Sequence, residues 1–131
     1  MTIQEKILNQ LPINKKEDLI QSQINEAKSI LSRTKLKLES YTLVTLTIKE
    51  VIPSQQGEDY KNASSEYDVD VYQNVMNGKM NINDIRLNTF RPIAVDKNTM
   101  EIIDGNHRHY AIKTVGEKNV FVLLCETQNI E

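Results

Sequence analysis

The stretch from Arg91 to Cys125 most constrains what this chain can fold into, because each change of pattern within it is marked by a turn or a glycine. RPIAV and MEIID are short β-rich runs joined by DKNT, a connection short enough to favour an antiparallel hairpin. NHRHYAIKTV follows Gly105 with the length of a helix, and Gly116 ends it before the apolar run NVFVLLC. A helix between two strands is a crossover, so at least one strand pair is expected to be parallel and right-handed. An antiparallel hairpin beside a parallel pair predicts an α+β fold with a mixed sheet.

Upstream, the pattern is helical. Thr2 and Glu5 have the spacing of a capping box, with Ile3, Ile7 and Leu11 on one side before Pro12. A second start at Asn14, with Glu17 three positions on, leads into Ile20, Ile24, Ala27 and Leu31, a stripe that Leu38 extends. Residues 1–40 therefore read as an N-terminal helical extension packed as a layer over one side of an α/β domain at 41–131. The stripe is also suited to a second copy of the chain or to a protein partner. LVTLTIK, Leu43 to Lys49, alternates as the first strand, SQQGEDYKNAS reads as a surface loop, and a helix capped by Ser65 runs to Gly78. One short helical turn is expected near Asn83 to Leu87.

Composition narrows the class. The 131 residues suit one modest core, and 16 basic against 18 acidic residues give a net charge of −2. That balance disfavours coating nucleic acid by charge alone, although a local basic face remains compatible with DNA. Cys125 is the only cysteine, which excludes an intrachain disulfide and a zinc knuckle, and its apolar setting reads as a buried thiol. No apolar run is long enough to span a membrane, and a cytoplasmic location is the simplest expectation.

The chemistry concentrates in EIIDGNHRH, Glu101 to His109. A strand that turns at glycine into a helix points unpaired N–H groups and the positive end of the helix dipole at one place, which attracts anions. Arg108 in the first turn offers a planar donor fork for phosphate or carboxylate. Asp104 would repel a bare anion; it reads either as a helix cap or as a carboxylate that shares a metal or accepts a substrate proton. His107 and His109 flank Arg108 and point to different sides of the helix, so they are a poor metal pair. His107 reads as a structural hydrogen-bonding residue or a proton-transfer group, and His109 as mainly solvated.

RPIAV, IIDGNHRHYAIKTVG and VFVLL together resemble the core of the ParB and sulfiredoxin superfamily, and DGNHR is most similar to the DGHHR signature of its free-serine kinases. The resemblance spans about Leu43 to Glu126. It implies that Gly105 and Arg108 hold nucleotide phosphates, with Asn106 and His109 beside them, and that Asp104 acts in phosphoryl transfer. Sulfiredoxins carry cysteine after the glycine, where this chain has Asn106; partition proteins carry a GERR-like sequence and continue into a helical DNA-binding domain. The kinases also use a glutamate after the first strand, a place that Glu58 or Glu50 would fill.

The resulting expectation is a phosphotransferase that uses ATP or ADP with magnesium on a small hydroxyl-bearing acceptor. Asp104, His107 and Glu58 would be catalytic, and Asp104 with Asp59 would hold the metal. Two alternatives stand beside it: a non-catalytic nucleotide-sensing or protein-binding module, and a ParB-like DNA-binding protein or nuclease.

Overall fold

A computed structural model describes residues 1–54, 63–79 and 86–130. Its first helix, α1 (Ile3–Leu8), begins with the expected capping box: Thr2 accepts from the Glu5 backbone while Glu5 reaches back to the Thr2 backbone. Leu11 lies beyond its end. α2 (Ile13–Ser32) starts after Pro12, a residue whose fixed φ is preorganised for a helix start.

α2 ends before Leu38. Lys35 adopts a left-handed φ of 58°, and β1 (Leu36–Thr47) begins at once, so Leu38 belongs to the strand instead of prolonging the helical stripe. The first strand thus starts well before Leu43, inside the segment read as the helical extension. A short 3-10 turn at Ile48–Glu50 closes it. α3 (Ala63–Met76) starts ahead of Ser65, which lies within it, and a 3-10 turn at Leu87–Phe90 precedes β2 (Ile93–Asp96). Most of the turn expected at Asn83 to Leu87 falls outside the described residues. β3 (Ile102–Asp104), α4 (Asn106–Thr114) and β4 (Asn119–Asn129) follow in the expected order.

The sheet has the order β1-β4-β2-β3. β1 and β4 are antiparallel, β2 and β3 form the antiparallel hairpin across DKNT, and β2 runs parallel to β4. The fold is therefore α+β, with a mixed sheet and an N-terminal helical extension.

Alternation along the inner strands decides what each helix covers. Ile93, Val95, Val120 and Val122 face a core completed by Val71 and Tyr72 of α3, Ala111 and Ile112 of α4, and Ile3 and Ile7 of α1. Ala94, Leu123 and Cys125 face the other way, against Ile24 and Ala27 of α2. The two N-terminal helices thus lie on opposite faces of the sheet, contrary to the single covering layer expected from their stripes. Each large aliphatic side chain buried in this way contributes about 1.5–3 kcal/mol. Burial raises the Cys125 thiol pKa to about 12, which fits the inert role read from its sequence context. Among the described residues, no helix is long and apolar enough to cross a membrane.

Candidate functional site

The turn between β3 and α4 requires glycine on two counts. Gly105 has φ +116°, and a Cβ there would stand 3.0 Å from the Arg108 guanidinium and 3.0 Å from the Ile93 side chain. The close approach that excludes a side chain is therefore to the protein's own packing. Gly105 is also the N-cap of α4, without a side-chain cap bond. Asp104 is thus not the cap, which removes one of its two expected roles.

Arg108 turns inward. It is only 6% exposed, and its Nη1 donates to the carbonyls of Arg91 at 3.0 Å and Pro92 at 3.2 Å. Its Nη2 donates to Gln23 Oε1 at 2.6 Å and lies 3.4 Å from Asp104 Oδ2. Burial, with the nearby Arg91 charge, lowers its pKa to about 10 against the opposing pull of Asp104, so it stays charged at neutral pH. The donor fork expected to face a ligand ties β2, β3 and α2 together instead. Gln23 completes the unit by donating Nε2 to Asp104 Oδ2 at 2.9 Å.

Outside this buried unit lies a cleft of about 480 Å³. It is lined by Arg86, Asn88, Thr89 and Arg91, by Asp68 of α3, and by Asp104 to Arg108. Arg86 stacks its guanidinium over the Tyr67 ring at 5.3 Å. Arg91 is steadied by donation from Nη1 to Ser22 Oγ at 3.0 Å and from Nε to the Asn88 carbonyl at 3.2 Å. Asp68 accepts from the Thr89 hydroxyl at 3.1 Å, and burial raises its pKa despite that bond and the opposing pull of Arg108, His107 and Arg86.

The other expected site residues divide. Asn106 and His107 both line the cleft. Asn106 is also latched to Ser54, accepting from its N–H at 3.3 Å and donating to its Oγ at 3.2 Å. His109 does not share this side: it is 5% exposed, bonds the Ile48 backbone, and leaves Nε2 without a partner among the described residues. The solvated His109 of the sequence reading is a buried one. Glu58 and Asp59 lie outside the described residues. Glu50 bonds the Thr47 backbone N–H at 2.8 Å as part of a local cap.

Arg86, Arg91, Asp68 and Gln23 escaped the sequence reading. A pair of arginines bracketing LNTF just before a strand is the one signal that could have located two of them.

The expected nucleotide-dependent phosphotransferase is corrected by this geometry. Its phosphate clamp, Arg108, is committed to backbone carbonyls and Gln23, and its catalytic carboxylate, Asp104, is held by Gln23 and Arg108. Among the described residues, no group of three or more His, Cys, Asp or Glu side chains is placed to hold a metal ion. The expectation of a magnesium-dependent nucleotide kinase falls with it.

No family model matches the chain, and no curated protein does. Among solved structures, it is similar to the C2221 crystal form of a Pnob8-like ParB-N domain, with 22% identity and a TM-score of 0.46 over 70% of this chain and 31% of that one. A second structure, a pNOB8-like ParB N-domain, gives 20% identity and a TM-score of 0.44 over 70% of this chain and 28% of the other. This chain thus spans about a third of the length of the structures it matches. Both are ParB-N domains; the likeness concerns the α+β arrangement alone and lends nothing to a kinase branch.

Proposed function

We propose that this chain is a ParB-like DNA-binding module whose cleft at the start of α4 receives phosphates of the DNA backbone. The observation that carries this reading is that Arg86 and Arg91 line the same cleft as the first turn of α4 and His107. Both guanidiniums are held in place, by Tyr67 on one side and by Ser22 and the Asn88 carbonyl on the other, so little side-chain freedom is lost when a phosphate docks. Asn88 and Thr89 add neutral polar groups suited to sugar and phosphate oxygens. Asp104 is offset by its pairing with Gln23 and Arg108, which reduces its repulsion of an anion. The net charge of −2 requires this basic face to be local, and affinity to fall steeply with salt.

Fluorescence anisotropy of a labelled DNA duplex, titrated at several salt concentrations, tests the reading. Binding at low salt is expected, with Arg86→Ala and Arg91→Ala each reducing the salt slope by about one and weakening all sequences alike. Absence of binding at low salt, or an unchanged slope in the folded double variant, would overturn it.

A further inference from the structure

β1 is a 12-residue strand at one end of the sheet, and among the described residues its one strand partner is β4. Long edge strands usually carry lysine, proline or a cover that blocks further pairing. Here the flanks carry Lys35, Lys37, Glu39 and Lys49, whereas Ser40 to Thr47 contains no charge, no proline and no glycine. The unprotected stretch also presents Tyr41 at 46% exposure and Leu43 at 38%.

The ladder shows which backbone groups are open. Ile48 N–H donates to the Lys118 carbonyl at 2.8 Å, continuing the register in which Thr47 faces Asn119. In an antiparallel pair, residues alternate between bonding their partner and turning away from it. Leu46, Val44, Thr42 and Ser40 therefore bond β4, and Thr45, Leu43 and Tyr41 turn N–H and C=O outward. The side chains of Tyr41 and Leu43 share the sheet face of their β4 partners Cys125 and Leu123, which are buried under α2. An apolar surface thus continues from beneath α2 to the open edge.

We infer that β1 pairs with β1 of a second copy, antiparallel about a two-fold axis at Thr42. That register places Tyr41 opposite Leu43 of the other copy twice, with the outward backbone groups of both residues exchanging hydrogen bonds. Thr42 meets Thr42, and Ser40 meets Val44. Within β1 no charge faces a charge, and both exposed apolar side chains gain a cross-strand partner; Lys35 and Lys49, which this register would oppose, lie outside the strand. Two sheets join into one. The two neighbouring two-fold registers, centred on Tyr41 or on Leu43, set Glu39 against Leu43 or Tyr41 against Thr45. A strand junction of this length is near the small end of specific interfaces, so the association is expected in the micromolar range. It does not depend on the DNA reading.

Sedimentation equilibrium of the full chain from micromolar to submillimolar concentration gives the first test, and a constant monomer mass overturns the inference. Tyr41→Lys with Leu43→Lys sets like charges opposite one another and should weaken the dimer by about a hundredfold or more, whereas Tyr41→Glu with Leu43→Lys sets opposite charges together and should restore it. Equal behaviour of the two folded double variants overturns the register. Thr42→Cys should give a disulfide-linked dimer on mild oxidation, because Thr42 meets itself at a closely spaced pair while Cys125 is buried. This measurement needs neither double variant to fold; absence of the linked dimer where the parent chain dimerises overturns the pairing.

Discussion

Gln23 and Arg108, 85 residues apart in sequence, meet at 2.6 Å inside the protein, and the same glutamine amide donates to Asp104 at 2.9 Å. A neutral side chain from the N-terminal extension thus satisfies a buried cation and a carboxylate at once. Gln23→Leu removes both bonds while keeping an apolar side chain of similar size. A loss of about 2–3 kcal/mol is expected, because bonds to charged groups are costly to leave unmade. Urea unfolding checks it, and an unchanged midpoint would show that water replaces the amide.

Arg108→Ala should damage folding before it affects any ligand. Truncation strips the Arg91 and Pro92 carbonyls, Gln23 and Asp104 of a shared partner, and removing one member of a buried charged unit costs about 3–5 kcal/mol. Arg108→Lys should recover only part of this, since an ammonium group lacks the planar fork that reaches all four acceptors. Thermal unfolding of the two variants side by side gives the order.

Gly105→Ala should cost about 1–3 kcal/mol through its left-handed backbone and the Cβ contacts with Ile93 and Arg108. In an Ile93→Ala background the Gly105→Ala cost should lose part of its steric share, because Ile93 Cγ2 and Cγ1, two of the three nearest atoms, are then absent. A double-mutant cycle separates that share from the backbone strain.

His109 makes stability depend on pH. Burial lowers its pKa, with Lys113 acting in the same direction and the bond to the Ile48 backbone opposing them. A histidine whose folded pKa lies below its unfolded value near 6.5 favours the folded state while neutral. Its contribution is present above the unfolded pKa and declines as pH falls through that value towards the folded one. His109→Gln should flatten the stability profile between pH 7 and 5 relative to the parent, as read from urea midpoints at each pH.

Local pattern carried the hairpin and α4 into view: DKNT joins β2 to β3, and Gly105 starts the helix where its sequence suggests. The boundary between α2 and β1 was hidden, because Leu38 falls at helical spacing from Leu31 while the interruption rests on the left-handed backbone of Lys35, a residue with no turn signature. At the site, the cluster Asp104, Gly105 and Arg108 is contiguous enough to be noticed. Its use is not legible, since the direction of the arginine is set by Gln23 and by carbonyls of Arg91 and Pro92 that only tertiary packing brings within reach. Arg86 and Arg91 of the cleft and the carboxylate of Asp68 come from separate elements, and no spacing rule links them.

β4, the last strand in chain order, occupies an inner position between β1 and β2. During synthesis, neither β1 nor the β2–β3 hairpin can find its sheet partner until residues 119–129 have left the ribosome. The emerging chain therefore carries two incomplete pieces of sheet, one of them the long uncharged stretch of β1, until β4 emerges. Closure of the sheet is a step that joins distant parts of the sequence, and open strands left waiting for it are the surfaces most prone to pair between chains.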